Sequence, residues 1–346
     1  MRLLTTLSGL LALLAGSASP CYGASPVEWC TLAPGKPDAA WLRKLDTQLV
    51  LPPAPLPRLH TEGTLPHQGI YDASVAAKRD LPRMRQFALA WRQTADGRYL
   101  DAASSYLDAW SRTYQPSLNP IDETDLDALI DTYAITRHAL NDKLQNQLTR
   151  FIRDWGAAYI ADIKSARKPL KTTYINNWNS HRIKLLTLSA VALNDKAMFA
   201  EARRLYRQQL DNNIDATGIT QDFQERDALH YVTYDLEPLA RAAIAARAMG
   251  EDWLPLTGAR GGSLDKALRW LQPFAEGRVT HMEFVNSSVR FDAVRREAGL
   301  PGFSGEWQPA NARNLYSLAA VLSASWRELA LRLGNPPDWV RLCWAH

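Results

Sequence analysis

A chain of 346 residues that is 46% hydrophobic and 22% charged, with 18 Gly and 20 Pro, can bury a full core, which excludes collagen-like, low-complexity and disordered classes. Its 40 Lys and Arg against 36 Asp and Glu give +4 with no basic tail or block, so no nucleic-acid partner is expected. Twelve Trp and twelve Tyr supply flat, partly polar rings that suit sugar faces as well as cores.

Residues 1–24 carry one early cation, Arg2, then an apolar run to about Leu14 and small residues up to Ala24. This is the pattern of a signal peptide, too short in its apolar part for a membrane span. Cys21 is a poor lipidation site because Pro20 stands where a small residue is wanted. Cleavage after Ala24 leaves one domain, 25–346, and lowers the charge from +4 to +3. Cys30 and Cys343 remain near the two ends, and in an exported chain they are expected to pair, the other reading being two separate buried thiols. The Pro-rich stretch 51–59 reads as a surface arm or lid.

Beyond it the apolar spacing is three and four almost throughout, so the chain reads as all-α. Helical pairs are expected at 73–95 with 97–113, 178–193 with 195–212, and 224–249 with 263–276, before a long helix near 310–333. Between them Thr124 caps a helix with Leu126, Leu129, Ile130 and Tyr133 on one face, and Asn141 opens another that runs to Tyr159. About ten helices in sequential hairpins make a ring or solenoid. The seven histidines show no HExxH or Cys/His metal spacing, and there is no GxSxG elbow. The glycines of 257–263 do not make a phosphate loop, and Ser263 reads as the cap of the next helix.

Two segments concentrate polar chemistry. In 171–186, Asn176, Asn177, Trp178, His181 and Arg182 open a helix whose N–H groups favour an anion, directly after Lys164, Arg167, Lys168 and Lys171. In 222–239, Arg226, His230 and Tyr234 recur at steps of four, which places them along one helical face with Tyr231 beside it. A buried hydrogen-bonded network would account for the same stripe.

On the blocks YDASVAAKRDL (71–81), WRQTADGRYLDAASSYLDAW (91–110), LNPIDETDL (118–126), YINNWNSHRIKLL (174–186), RDALHYVTYDLEPL (226–239) and HMEFVNSSVRFD (281–292), the chain resembles the alginate lyase family of helical-toroid polysaccharide lyases. The resemblance implies an incomplete (α/α) toroid of five or six hairpins, a periplasmic monomer with no membrane attachment after export, and cofactor-free, metal-free β-elimination on an acidic polysaccharide, a polyuronate. Such a reaction needs donors aimed at the uronate carboxylate, a base for the C5 proton and an acid for the departing O4.

Matched position by position, Asn177 becomes the carboxylate neutraliser with Asn176 beside it, and Tyr231 the acid, the base or both. Arg226 would lower the Tyr231 pKa. The best-studied subgroup has His directly after the paired asparagines, where this chain has Trp178. His181, one helical turn on, is the candidate substitute as base or neutralising partner. Arg226 also stands closer to Tyr231 than the subgroup's arginine does. These departures place the chain in a divergent branch. Tyr174 and Trp178 either pack the hairpin or stack on sugar. Lys171, His230, Tyr234, His281, Arg290 and Arg295 are candidate groove residues, although Glu283 and Asp292 could bind those charges instead. Asn119 and Glu123 read as loop-fixing groups. A non-catalytic glycan-binding or export-assisting protein on the same scaffold is the alternative. A toroid glycoside hydrolase would need two opposed acids, whereas Asp222 and Glu225 are near neighbours.

Overall fold

The computed structural model describes residue 30 and residues 38–344; the expected signal peptide lies outside the described residues. Sixteen α-helices run in chain order: α1 (Ala39–Asp46), α2 (Tyr71–Lys78), α3 (Asp80–Thr94), α4 (Gly97–Thr113), α5 (Pro120–Glu123), α6 (Asp127–Thr136), α7 (Asp142–Ser165), α8 (Asn177–Ala192), α9 (Lys196–Asn213), α10 (Gln221–Arg226), α11 (Leu229–Arg247), α12 (Leu264–Ala275), α13 (Arg290–Glu297), α14 (Arg313–Leu322), α15 (Arg327–Leu333) and α16 (Asp338–Cys343). Among the described residues there are no strands, only isolated bridges. No described helix is long and apolar enough to cross a membrane.

Ten of these helices form the five hairpins of a helical toroid. The inner layer is α3, α6, α8, α11 and α14, each packed on the next, and α4, α7, α9, α12 and α15 lie outside. Inner helices are enclosed on every side, which explains why α8 shows no polar face: all its residues but Trp178 are buried. Outer helices keep a solvated stripe, as in α7, where Leu144, Leu148, Ile152, Trp155 and Tyr159 turn inward. Gly156 on α7 permits the approach to α8 and α9, since a Cβ there would meet Met198 Sδ at 2.9 Å and Ser189 Cβ at 3.2 Å. The Asn141 and Ser263 side chains cap α7 and α12 as expected.

Four local expectations change. The helix expected over 73–95 is divided at Arg79 into α2 and α3. Thr124 does not cap α6. It begins a 3-10 turn, is buried, and turns its hydroxyl to His181 and Lys184. The long helix near 310–333 is two helices, because Ser323 is extended and its side chain accepts the Ser325 N–H. The helix expected over 224–249 breaks at Asp227, whose φ of 48° is left-handed. Asp tolerates that conformation better than most residues with a Cβ.

The Pro-rich arm is fastened to the ring. Asp80 Oδ2 accepts the Ala54 N–H at 2.6 Å, the Pro57 carbonyl accepts from Gln115, and Asp122 accepts the Thr61 and Glu62 N–H groups at 2.6 and 2.9 Å. Glu123, buried completely, accepts from Tyr114, Ser117, Trp155 and Tyr159, so it fixes the loop before α6.

Helix α16 seals the seam between the first and last hairpins. Its Trp339 lies between two guanidiniums, Arg85 of α3 at 4.3 Å and Arg241 of α11 at 4.5 Å, and both of these bind Asp131. A disulfide joins Cys343 to Cys30 across 313 residues. Replacing both cysteines with serine is expected to lower stability by about 2–5 kcal/mol, read as a lower denaturation midpoint, with a steeper denaturant slope because the unfolded chain is no longer cross-linked.

Candidate active site

The start of α8 is fixed by a polar network. Asn176 Oδ1 accepts the Trp178 N–H at 3.1 Å, and the Asn176 carbonyl accepts from Gln209 Nε2 at 3.0 Å. Asn177, 1% exposed, gives its N–H to Asp222 Oδ2 at 2.7 Å and its Nδ2 to Asp222 Oδ1 at 2.5 Å. Asp222, on α10, is completely buried, and burial followed by the neighbouring Asp235 pushes its pKa well above the usual carboxylate range. Asp235 in turn joins α8 to α9 through Ser180 and Asn213, and burial raises it to about 6.

Tyr231 approaches from α11. The break at Asp227 carries Arg226 off the α11 axis and sets its guanidinium 3.9 Å from the Tyr231 ring centroid. The expected Arg226, His230 and Tyr234 stripe on one helix therefore does not exist. Arg226 also pairs with Asp292 at 2.5 Å and stands 3.7 Å from Asp222. Arg295 of α13 donates from Nη1 to the Tyr231 oxygen at 2.8 Å. Burial raises the Tyr231 pKa, while Arg226 and then Arg295 pull it down. The effect expected of Arg226 is present, but desolvation outweighs it and the net direction is upward.

Asn176, Asn177, Trp178, Arg226, Tyr231, Tyr234 and Arg295 line one cleft of about 430 Å³. Glu62, Gly63, Ile121, Thr172, Thr173, Glu225, Val289 and Phe291 complete its wall. Trp178 is partly exposed in this wall with the Arg182 guanidinium 5.9 Å from its ring centroid, and Tyr234 forms an edge contact with Tyr231 at 6.2 Å.

Other candidates lie elsewhere. His181 is 3% exposed, shares a 2.7 Å hydrogen bond with Thr124 through Nδ1, and packs on Tyr234 at 4.4 Å. It faces a separate cavity with Lys184 and Arg85, so one helical turn does not bring it to the cleft. Burial, then Lys184 and Lys78, hold its pKa well below the usual imidazole range. His230 packs against Phe284 and Phe303, and its backbone N–H goes to Glu283 at 3.2 Å. His281 is bound to the Asp227 carbonyl at 3.0 Å. Tyr174 gives its hydroxyl to Asp162 and lies under Arg182 at 4.4 Å, a packing role. Lys171 and Arg290 are exposed beside lining residues without lining the cleft themselves. All four cations of 164–171 are exposed, and Lys164 pairs with Glu201.

The sequence signal for Arg295 was a generic groove arginine; its contact with Tyr231 joins residues 64 apart and has no local signature. Asp222 was legible only as an acid, and the arm's Glu62 carried no signal. Among the described residues no group of three or more His, Cys, Asp or Glu side chains is arranged to hold a metal ion.

The solved structures most useful for comparison are alginate lyases. One from Bacteroides ovatus is 14% identical, covers 86% of this chain and 89% of its own, and gives a TM-score of 0.61. Alginate lyase A1-III from Sphingomonas species A1 is 15% identical over 93% of this chain and 91% of its own, at 0.59. A tyrosine-to-phenylalanine variant of A1-III complexed with a tetrasaccharide is 14% identical over 89% of this chain and 94% of its own, at 0.61. At these identities the likeness establishes the toroid fold. No curated protein matches the sequence. The family model described as alginate lyase matches residues 25–281, most of the chain. The chain belongs to the alginate lyase family.

Proposed function

We propose that this polysaccharide lyase cleaves a uronate-containing, alginate-like polymer by β-elimination, with Asn177 neutralising the carboxylate and Tyr231 as both base and acid. One observation carries the reading: Asn177 and Tyr231 line the same cleft, each held by a hydrogen-bond partner, Asp222 and Arg295. One Asn177 N–H is committed to Asp222; the amide has a second. Aimed at the substrate carboxylate, it strengthens as enolate charge develops there.

Tyr231 in its phenolate form takes the C5 proton. The C5–H electron pair becomes the C4=C5 double bond, the C4–O4 bond breaks, and the proton passes from Tyr231 to O4. The pull of Arg226 and Arg295 supports the phenolate, and the net upward pKa lets Tyr231 hold the proton taken from C5 until it passes to O4, which regenerates the phenolate. His181 has no direct part, because it is enclosed against Thr124 and Tyr234. Trp178 supports sugar stacking. The disulfide supports export to the periplasm, where residues 25–346 act as one domain.

Incubation with polymannuronate, polyguluronate and polyglucuronate, read as ultraviolet absorbance of the unsaturated uronate product, tests the reaction. Absorbance is expected to rise on at least one. Binding without any rise, unaffected by Tyr231→Phe, would instead identify a non-catalytic glycan-binding protein.

A further inference from the structure

A cleft that takes a polymer charged at every sugar needs cations to match. Here the two cations in the wall are already engaged. Arg226 is paired with Asp292 at 2.5 Å and covers the Tyr231 ring, and Arg295 bonds the Tyr231 oxygen and stands 3.7 Å from the same Asp292. Two carboxylates, Glu62 and Glu225, face the open volume. Within the wall the two guanidiniums do no more than balance Glu62 and Glu225, and both also stand against the buried Asp292, so the cleft has no positive surplus. The neutral part of the wall is amide and ring: Asn176, Asn177, Trp178, Phe291. Lys171 and Arg290 are exposed and adjoin Thr172 and Phe291 in sequence, outside the wall itself, and Arg182 behind Trp178 is paired with Asp162.

From this arrangement we infer that the preferred substrate is a glycan whose uronates are spaced by neutral sugars, one carboxylate meeting Asn177 while its neighbours in the cleft carry none. The inference rests on the β-elimination at a uronate in the lyase reading and departs from its alginate-like polymer, which carries a carboxylate on every sugar. A carboxylate on an adjacent sugar would meet Glu62 or Glu225 with no cation to offset it, and like charges brought together oppose binding. A carboxylate further along would reach the rim, where Lys171 and Arg290 stand.

The test compares kcat/KM per uronate on two dense polymers, polyglucuronate and polymannuronate, and two spaced ones, hyaluronan and deacylated gellan. At least one spaced polymer is expected to be favoured by about tenfold or more over both dense ones. On the dense polymers added salt is expected to raise kcat/KM, because it screens repulsion, and the double variant Glu62→Gln, Glu225→Gln is expected to raise it several-fold. A preference for a dense polymer, with turnover falling as salt rises and no gain in the double variant, overturns the inference while the lyase reading stands. No unsaturated product from any of the four polymers defeats the lyase reading and this inference with it.

Discussion

Tyr231→Phe is expected to lower kcat at least ~100-fold, the scale of losing a general acid/base, with KM little changed. The ring contacts with Arg226, Tyr234 and Phe284 do not involve the hydroxyl, so the stability lost is that of the Arg295 hydrogen bond, about 1–3 kcal/mol, and turnover is expressed per folded molecule. The pH profile adds a second readout. If the phenolate is the base, kcat/KM rises toward alkaline pH as Tyr231 ionises. Arg295→Leu removes one of the two groups that lower the Tyr231 pKa, leaving burial less opposed. The alkaline limb must therefore move to higher pH, and Arg295→Lys should move it part of the way back. A phenylalanine variant with near-parental turnover, or a limb that shifts downward on removing Arg295, would show that another group moves the proton.

Asn177→Ala should reduce kcat/KM by ~100-fold or more, since it removes the donor aimed at the developing enolate. Asp222 would lose its side-chain donor at the same time, keeping the backbone N–H and the more distant Arg226, at a stability cost of about 1–3 kcal/mol. The two effects separate experimentally: chemical denaturation gives the folded fraction at assay temperature, and turnover is expressed per folded molecule. Asp222→Asn keeps the volume but disturbs the amide's orientation, so Asn177 should still function less well there, with activity between the parent and Asn177→Ala. Equal activity in all three would remove Asn177 from the mechanism.

Much of the toroid is readable from the sequence because inner and outer helices both repeat at 3.6 residues, and polar caps such as Asn141 and Ser263 mark where they begin. The cleft was less readable, for three physical reasons. Steps of four imply a shared face only while the helix continues, and a single left-handed Asp227 separates Arg226 from His230 and Tyr234 without leaving a Gly or Pro as a sign. Charge in sequence does not state where the charge points: Lys164, Arg167, Lys168 and Lys171 precede Asn176 along the chain yet are turned to solvent. Contacts such as Arg295 with Tyr231, or the placing of Glu62 by the arm, are set by tertiary packing. His181 shows the same limit, because one helical turn returns a side chain to roughly the same face of α8, but on an enclosed inner helix neighbouring faces open onto different cavities.

The seam under Trp339 has a consequence for biogenesis. Arg85, Asp131 and Arg241 belong to helices made early, midway and late, yet the ring that covers them comes from residues 338–343, and the thiol that secures it sits 313 positions from its partner. The bond can form only after almost the whole chain has been made and has curled back on itself. A formed bond therefore reports a closed circuit, whereas a chain that stops before residue 343 leaves Cys30 without its partner and the seam under Trp339 uncovered.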